Sequence, residues 1–154
     1  MTEQFKIEDR DISGDIQLHS KNSVEQGTAE EFLAAIDAVL AFPEVKKIRW
    51  EQFTPYFNDG DPCEFNVHEP AVKFTGHLKQ FSEQYSDYGD GYLDAWNLKY
   101  RAEKDKFSLP EGLVEALSAV SSSRFESVCR SNFGEHARVT ASRKGFKVEF
   151  YKHD

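Results

Sequence analysis

The sequence predicts an α+β fold: an antiparallel sheet of at least four strands with helices gathered on one face. Three observations lead there. Apolar and polar residues alternate with period two over residues 46–53, 63–68, 136–143 and 146–151, the pattern of half-buried strands. Elsewhere, most clearly over 29–40, apolar residues recur at i, i+3, i+4 and i+7, the pattern of a helix with one buried stripe. An aromatic share of 14% in 154 residues supplies enough large apolar surface for one packed core, so 1–154 reads as a single domain.

Taken in order, residues 1–22 alternate weakly (Phe5, Ile7, Ile12, Ile16, Leu18) among charges and read as a peripheral arm or an irregular strand on that domain. Ser23 with Gln26 and Thr28 with Glu31 have the spacing of a capping box, Phe32, Leu33, Ile36, Val39 and Leu40 form the buried stripe, and Phe42-Pro43 ends the helix. The first strand follows directly, with Ile48, Trp50 and Gln52 on one face and Lys47, Arg49 and Glu51 on the other. Residues 54–62 then hold two prolines, a glycine, two aromatics and two aspartates, far more constraint than a hairpin turn needs. In the next strand Cys63, Phe65 and Val67 share the apolar phase. Residues 71–74 either extend it past Pro70 or pair at an edge.

The stretch 76–107 is the least patterned, and is expected to be a loop followed by a helix over 91–104. On that helix Tyr92, Trp96 and Tyr100 fall on one stripe, which packing against the sheet explains more simply than a platform for a ligand. Ser108, Pro110 and Glu111 supply an N-cap, a first-turn proline and an N3 carboxylate for a short helix burying Leu113, Val114, Leu117 and Val120. Ser123 with Glu126 opens another, carrying Phe125, Val128, Cys129 and Phe133 and closed by Gly134. A β-hairpin turning at Lys144-Gly145 ends the chain.

Composition excludes some functions. A formal charge of -8 disfavours general nucleic-acid binding, which depends on Lys and Arg releasing counterions. Cys63 and Cys129 lack metal or redox spacing, and no basic start with an apolar core precedes residue 16, so reduced thiols and a cytoplasmic setting are expected. No apolar run approaches the roughly 20 residues of a membrane helix.

Candidate chemistry centres on 54–68. Asp59, Asp61, Glu64 and His68 lie within one strand–loop–strand unit, and carboxylates with an imidazole suit a divalent cation, which defines one alternative, a metal-dependent hydrolase. Asn58-Asp59-Gly60-Asp61 is also what a tight turn requires, and it lacks the remaining positions of a twelve-residue calcium loop. Cys63 sits on the apolar phase, which favours a buried residue over a thiolate nucleophile. No GxSxG, HExxH or phosphate-binding glycine loop occurs, and no cofactor is implied. The remaining candidate is a recognition surface. Arg49, Trp50, Phe53, Tyr56, Phe57, Asn58, Asp59 and Asp61 combine aromatic faces, a guanidinium and turn polar groups, the mix that takes a flat or anionic small molecule, a partner protein or a second copy of the chain. Plain packing is the competing account. Pro55 and Pro62 predict that the loop between them is ordered without a ligand.

Two segments, RWEQFTPYFNDGDPCEF (49–65) and FGEHARVTASRKGFKVEFYKHD (133–154), resemble small proteins encoded by tailed phages and prophages. The resemblance covers about a third of the chain and brings no catalytic residue with it. Lys152 stands where that family is more often acidic, which argues against a role for a tail carboxylate. The resemblance implies provenance rather than mechanism. Taken with the residues above, the function expected is that of a non-catalytic phage-type binding protein that acts on a host process, by sequestering a small, nucleotide-like ligand or by masking a host protein; a metal-dependent hydrolase and a structural component of the virion or of its assembly are the alternatives.

Overall fold

The computed structural model describes residues 5–14, 26–54, 65–86, 89–120 and 123–151. Among the described residues eight strands form one sheet: β1 (Phe5–Ile7), β2 (Arg10–Gly14), β3 (Val45–Phe53), β4 (Asn66–Val67), β5 (Ala71–Phe74), β6 (Tyr92–Asp94), β7 (Ala137–Ser142) and β8 (Gly145–Phe150). Their spatial order is β1-β2-β8-β7-β3-β5-β6, with β4 paired to β3 beyond the end of β5. Every pairing is antiparallel except β2 with β8. Helices α1 (Ala29–Leu40), α2 (Lys79–Tyr85), α3 (Ala95–Lys104), α4 (Leu113–Ala119) and α5 (Glu126–Phe133) cover one face, which is the α+β arrangement expected.

The register shows which face is covered. Ile48 lies opposite Ala141 and Val72, Trp50 opposite Val139, Val139 opposite Val148, and Phe146 opposite Ile12; all are buried. Phe32 of α1 sits over this surface as a hub, with ring centroids 5.4 Å from Phe125 and 6.0 Å from Trp50 and Phe146. Leu33, Ile36, Leu40, Phe65, Val67 and Leu117 are buried as the apolar periods require. A β-bulge between Val45 and Lys47 puts both Val45 and Ile48 on the core face, three positions apart, and turns Lys47 to the other side.

Helix ends are satisfied partly by distant side chains. Thr28 and Glu31 make the capping box of α1. No basic residue lies in the last turn of that helix, and Arg143 from the terminal hairpin donates to the Leu40 and Phe42 carbonyls instead, at 2.6 and 2.9 Å. The backbone N–H of Ser127, at the start of α5, donates to the Gln26 side chain at 3.1 Å. Gln26 had been expected to cap α1 with Ser23; Ser23 lies outside the described residues.

Four expectations change. The helix over 91–104 is a strand followed by a helix: Gly91 takes φ +88°, Tyr92–Asp94 pair with β5, and Asp94 caps α3 through the Asn97 N–H at 2.8 Å. The helix expected from Ser108 begins at Leu113, because Gly112 adopts a left-handed φ of +85° that breaks the first turn. Residues 71–74 are an interior strand between β3 and β6, not an extension of β4. Helix α2, with Phe81 buried and stacked on Phe107 at 4.5 Å, was not expected, since its seven residues are too few to show a period. In residues 1–22, β1 and β2 form a hairpin at the sheet edge, with Ile7 and Ile12 buried in the common core.

Candidate functional site

Among the described residues no helix covers the second face of the sheet, and that face carries the alternate residues of each strand. In β3 these are Lys47, Arg49, Glu51 and Phe53. Cross-strand register sets them beside Lys73 and Ala71 of β5 and beside Thr140 and Arg138 of β7, with Lys147 and Glu149 of β8 following. The face is polar and of mixed charge.

Arg49 is the most constrained group on it. Its guanidinium donates to Asp90 Oδ2 at 2.6 Å and lies 3.8 Å over the Tyr92 ring. Asp90 also accepts the Tyr92 backbone N–H at 3.1 Å. Partial burial alone would push the Asp90 carboxyl up, but the bonds from Arg49 and the Tyr92 backbone outweigh it and hold the carboxyl below its ordinary value. Burial pushes the Tyr92 hydroxyl upward. The depression around them, about 140 Å³, is lined also by Glu51, Glu69, Asp94 and Asn97. With its fork engaged by Asp90 and its plane on Tyr92, Arg49 is a structural tie between β3 and the start of β6; the carboxylates around it repel an anion.

At the other end of β3, Phe53 stacks on His68 at 4.6 Å and lies 5.6 Å from Tyr151, whose ring is 5.3 Å from the Arg138 guanidinium. The chain on either side of 55–64 is pinned by one buried pair. Thr54 donates to Glu135 Oε1 at 2.5 Å, Arg130 donates to the same oxygen at 3.2 Å, and the Arg130 guanidinium lies 5.3 Å from the Phe65 ring.

Of the residues expected to form a recognition surface, Arg49 and Phe53 share the uncovered face. Trp50 does not join them. It points the other way, is 2% exposed, packs edge-on against Phe32 and Phe133, and donates to Gln52 at 2.9 Å, so it belongs to the core. Tyr56, Phe57, Asn58, Asp59 and Asp61, and with them Cys63 and Glu64, lie outside the described residues. His68 is described, and among the described residues no group of three or more His, Cys, Asp or Glu is placed to hold a metal ion. Cys129 is a free, buried thiol whose pKa is pushed well up by burial, the opposite of a nucleophile's setting.

The aromatic stripe of α3 faces away from the sheet. Trp96 and Tyr100 of α3 were expected to pack on the sheet, yet they are 69% and 40% exposed and stack on each other with centroids 5.2 Å apart and planes within 5°. Arg101 lies 5.4 Å from the Tyr100 ring and Lys104 donates to the Tyr100 hydroxyl at 3.3 Å. The signal that decides the face was Leu98, the buried residue of α3. Trp96 and Tyr100 stand two positions to either side of it, about 200° around the helix, and therefore opposite the buried stripe.

No helix among the described residues is long and apolar enough to cross a membrane. No family model, curated protein or solved structure matches this chain.

Proposed function

We propose that the chain is a non-catalytic binding protein that masks a partner protein, anchored by the stacked Trp96–Tyr100 pair on α3. The observation that carries this reading is their exposure. Among the described residues only three large hydrophobic side chains are exposed, and two of them form one parallel stack. An exposed Trp with a Tyr and a neighbouring Arg is the composition of an interface hot spot, rigid and large, with little rotamer entropy lost on contact. Within α3, Lys99, Arg101 and Lys104 outnumber Glu103, in a chain whose formal charge is -8. The complementary surface is therefore acidic at its rim with an apolar pocket at its centre. The resemblance of 49–65 and 133–154 to proteins of tailed phages supports a host protein, met in the host cytoplasm, as that partner.

The test is the W96A/Y100A double variant, compared with the wild-type chain as bait in a lysate of the host and in a sedimentation run. The side chains are solvent-facing, so the unfolding free energy should stay within about 0.5 kcal/mol of wild type and the melting temperature should move little. Each truncation should weaken a complex by at least about 30-fold, as hot-spot residues do. A complex that survives both substitutions, or a wild-type chain that self-associates through this pair, overturns the reading.

A further inference from the structure

A second part of the uncovered face has the opposite character to the acidic depression around Arg49. Lys47, Lys144 and Lys147 gather there around an open hollow of about 250 Å³, together with the hydroxyl residues Ser13, Thr140 and Ser142. Register builds the cluster. Ser13 of β2 and Thr140 of β7 both lie directly opposite Lys147, and Ser142 lies opposite Gly145 beside the hairpin turn. Lys47 reaches the same face through the β3 bulge. Gly145 leaves the floor without a side chain; its φ is +132°, and a Cβ there would stand 2.9 Å from the Asp11 carbonyl oxygen.

The charges in this hollow are unbalanced. Lys47, Lys144 and Lys147 make no ion pair with any described residue, although the chain has 27 acidic residues against 19 Lys and Arg. Lys47 also lies directly opposite Lys73, a like-charge pairing that costs stability when nothing neutral or negative intervenes. Of the lining side chains only Asp11 is acidic. Ser142 Oγ accepts the Lys144 backbone N–H at 3.2 Å, which leaves its own proton free to donate outward. Three lysines and three hydroxyl residues lining one hollow bring more donors than acceptors to it.

We infer that this hollow binds a phosphate-type oxyanion, free or as the phosphoryl end of a nucleotide. A tetrahedral oxyanion offers acceptors to several donors at once and would neutralise lysines that have no ion-pair partner among the described residues, through short charge-assisted bonds. The volume sets the scale of what is enclosed. Sites that engulf a drug-sized ligand run from roughly 300 to 1,000 Å³, so this hollow seats a phosphoryl group and leaves any remainder on the open sheet. The site lies on β2, β8, β7 and β3, whereas α3 packs on β6 and α4, so it stands or falls independently of the α3 surface.

The experiment is an amide-resolved NMR titration of the full chain at constant ionic strength, with inorganic phosphate and ADP as probes and chloride as the control. Saturable shifts should concentrate at Ser13, Thr140, Ser142, Lys144 and Lys147. The K47Q/K147Q variant should weaken binding by at least about tenfold, the loss expected for removing charge-assisted bonds, while K79Q, on exposed α2, should leave it unchanged. Tighter binding of ADP than of phosphate assigns the nucleotide as source, and equal affinity assigns free phosphate. Shifts that follow chloride, spread over lysines elsewhere, or persist in K47Q/K147Q overturn the proposal. The spectrum of the variant itself reports whether it is folded, so a failed variant is not mistaken for a negative result.

Discussion

Gln52 shows at the scale of one residue how a strand pattern can be read correctly and still conceal a role. Alternation placed it with Ile48 and Trp50, and it is indeed 0% exposed. A buried amide must be satisfied, and this one is: Nε2 donates to the Cys129 and Gly134 carbonyls at 2.9 and 2.6 Å, while Oε1 accepts the Trp50 indole N–H at 2.9 Å. It therefore ties the central strand to the C-terminal end of α5, 77 and 82 residues away in sequence. No local period carries that information. Gln52→Leu roughly keeps the volume and removes every one of these bonds, taking from the Trp50 indole N–H and the Gly134 carbonyl the partner each has here, while the Cys129 carbonyl keeps its place in the helix. The expected loss is about 2 to 4 kcal/mol, at roughly 1 to 3 kcal/mol per orphaned group with partial relaxation, read as a shift in the urea midpoint with an unchanged slope. Trp50 was harder to place, because an aromatic beside an arginine in sequence suits a binding face as well as a core. The strand's period of two separates them onto opposite faces.

Among the elements, those with several apolar residues on one phase or a tight terminal turn were legible, namely α1, β3, α5 and the β7–β8 hairpin. Those with a single buried anchor or a weak pattern were not. In α3 the spacing of Trp96 and Tyr100 was plain, but the direction of the stripe hung on Leu98 alone, and Tyr92 turned out to precede the helix on β6. The N-terminal hairpin poses the reverse problem: its sequence is weakly patterned, and its place depends on one close approach. Gly14, at φ +117°, lies opposite Val148 in the sheet's parallel pairing, and a Cβ there would stand 1.6 Å from the Val148 carbonyl oxygen. Any side chain must separate β2 from β8. Gly14→Ala should therefore release β1 and β2 as a unit and expose Ile7 and Ile12, costing about 2 to 4 kcal/mol at roughly 1.5 to 3 kcal/mol per buried aliphatic side chain with part of the loss relaxed. Amide exchange would register it as lost protection in β2, with protection retained across β3 and β7. Uniform loss across the sheet would show instead that the hairpin is part of the cooperative core.

For the whole molecule, a sheet covered on one face sends apolar groups to the helices and charges to the open side, so ionisation acts on stability mainly through that open side and the helix caps. Two carboxyls are held below their ordinary values. Asp90 is held there by Arg49 and the Tyr92 backbone against the upward push of burial; Glu31 by the Thr28 backbone N–H of the capping box, with Arg124 adding to it. A carboxyl whose folded pKa is depressed contributes stability that is fully present above its unfolded value, near 4, and is lost as pH falls through the folded value. The melting temperature should accordingly stay level from about pH 8 to 5 and fall below about pH 4. The net charge of -8 pulls the other way, since protonation relieves repulsion among exposed carboxylates. That repulsion is spread over the surface and screened by salt, whereas the Arg49–Asp90 pair is close, at 2.6 Å, and largely shielded, with side chains 21% and 32% exposed. Asp90→Asn separates the two effects. It should lower the melting temperature at pH 7, because Arg49 loses its charged partner, and the gap to wild type should narrow as pH falls below about 4 and the wild-type Asp90 takes up its proton. A gap that does not narrow as pH falls would trace the loss to the side-chain amide's packing, and equal melting temperatures at pH 7 would mean that the pair adds nothing to the fold and that Arg49 is held by Tyr92 alone.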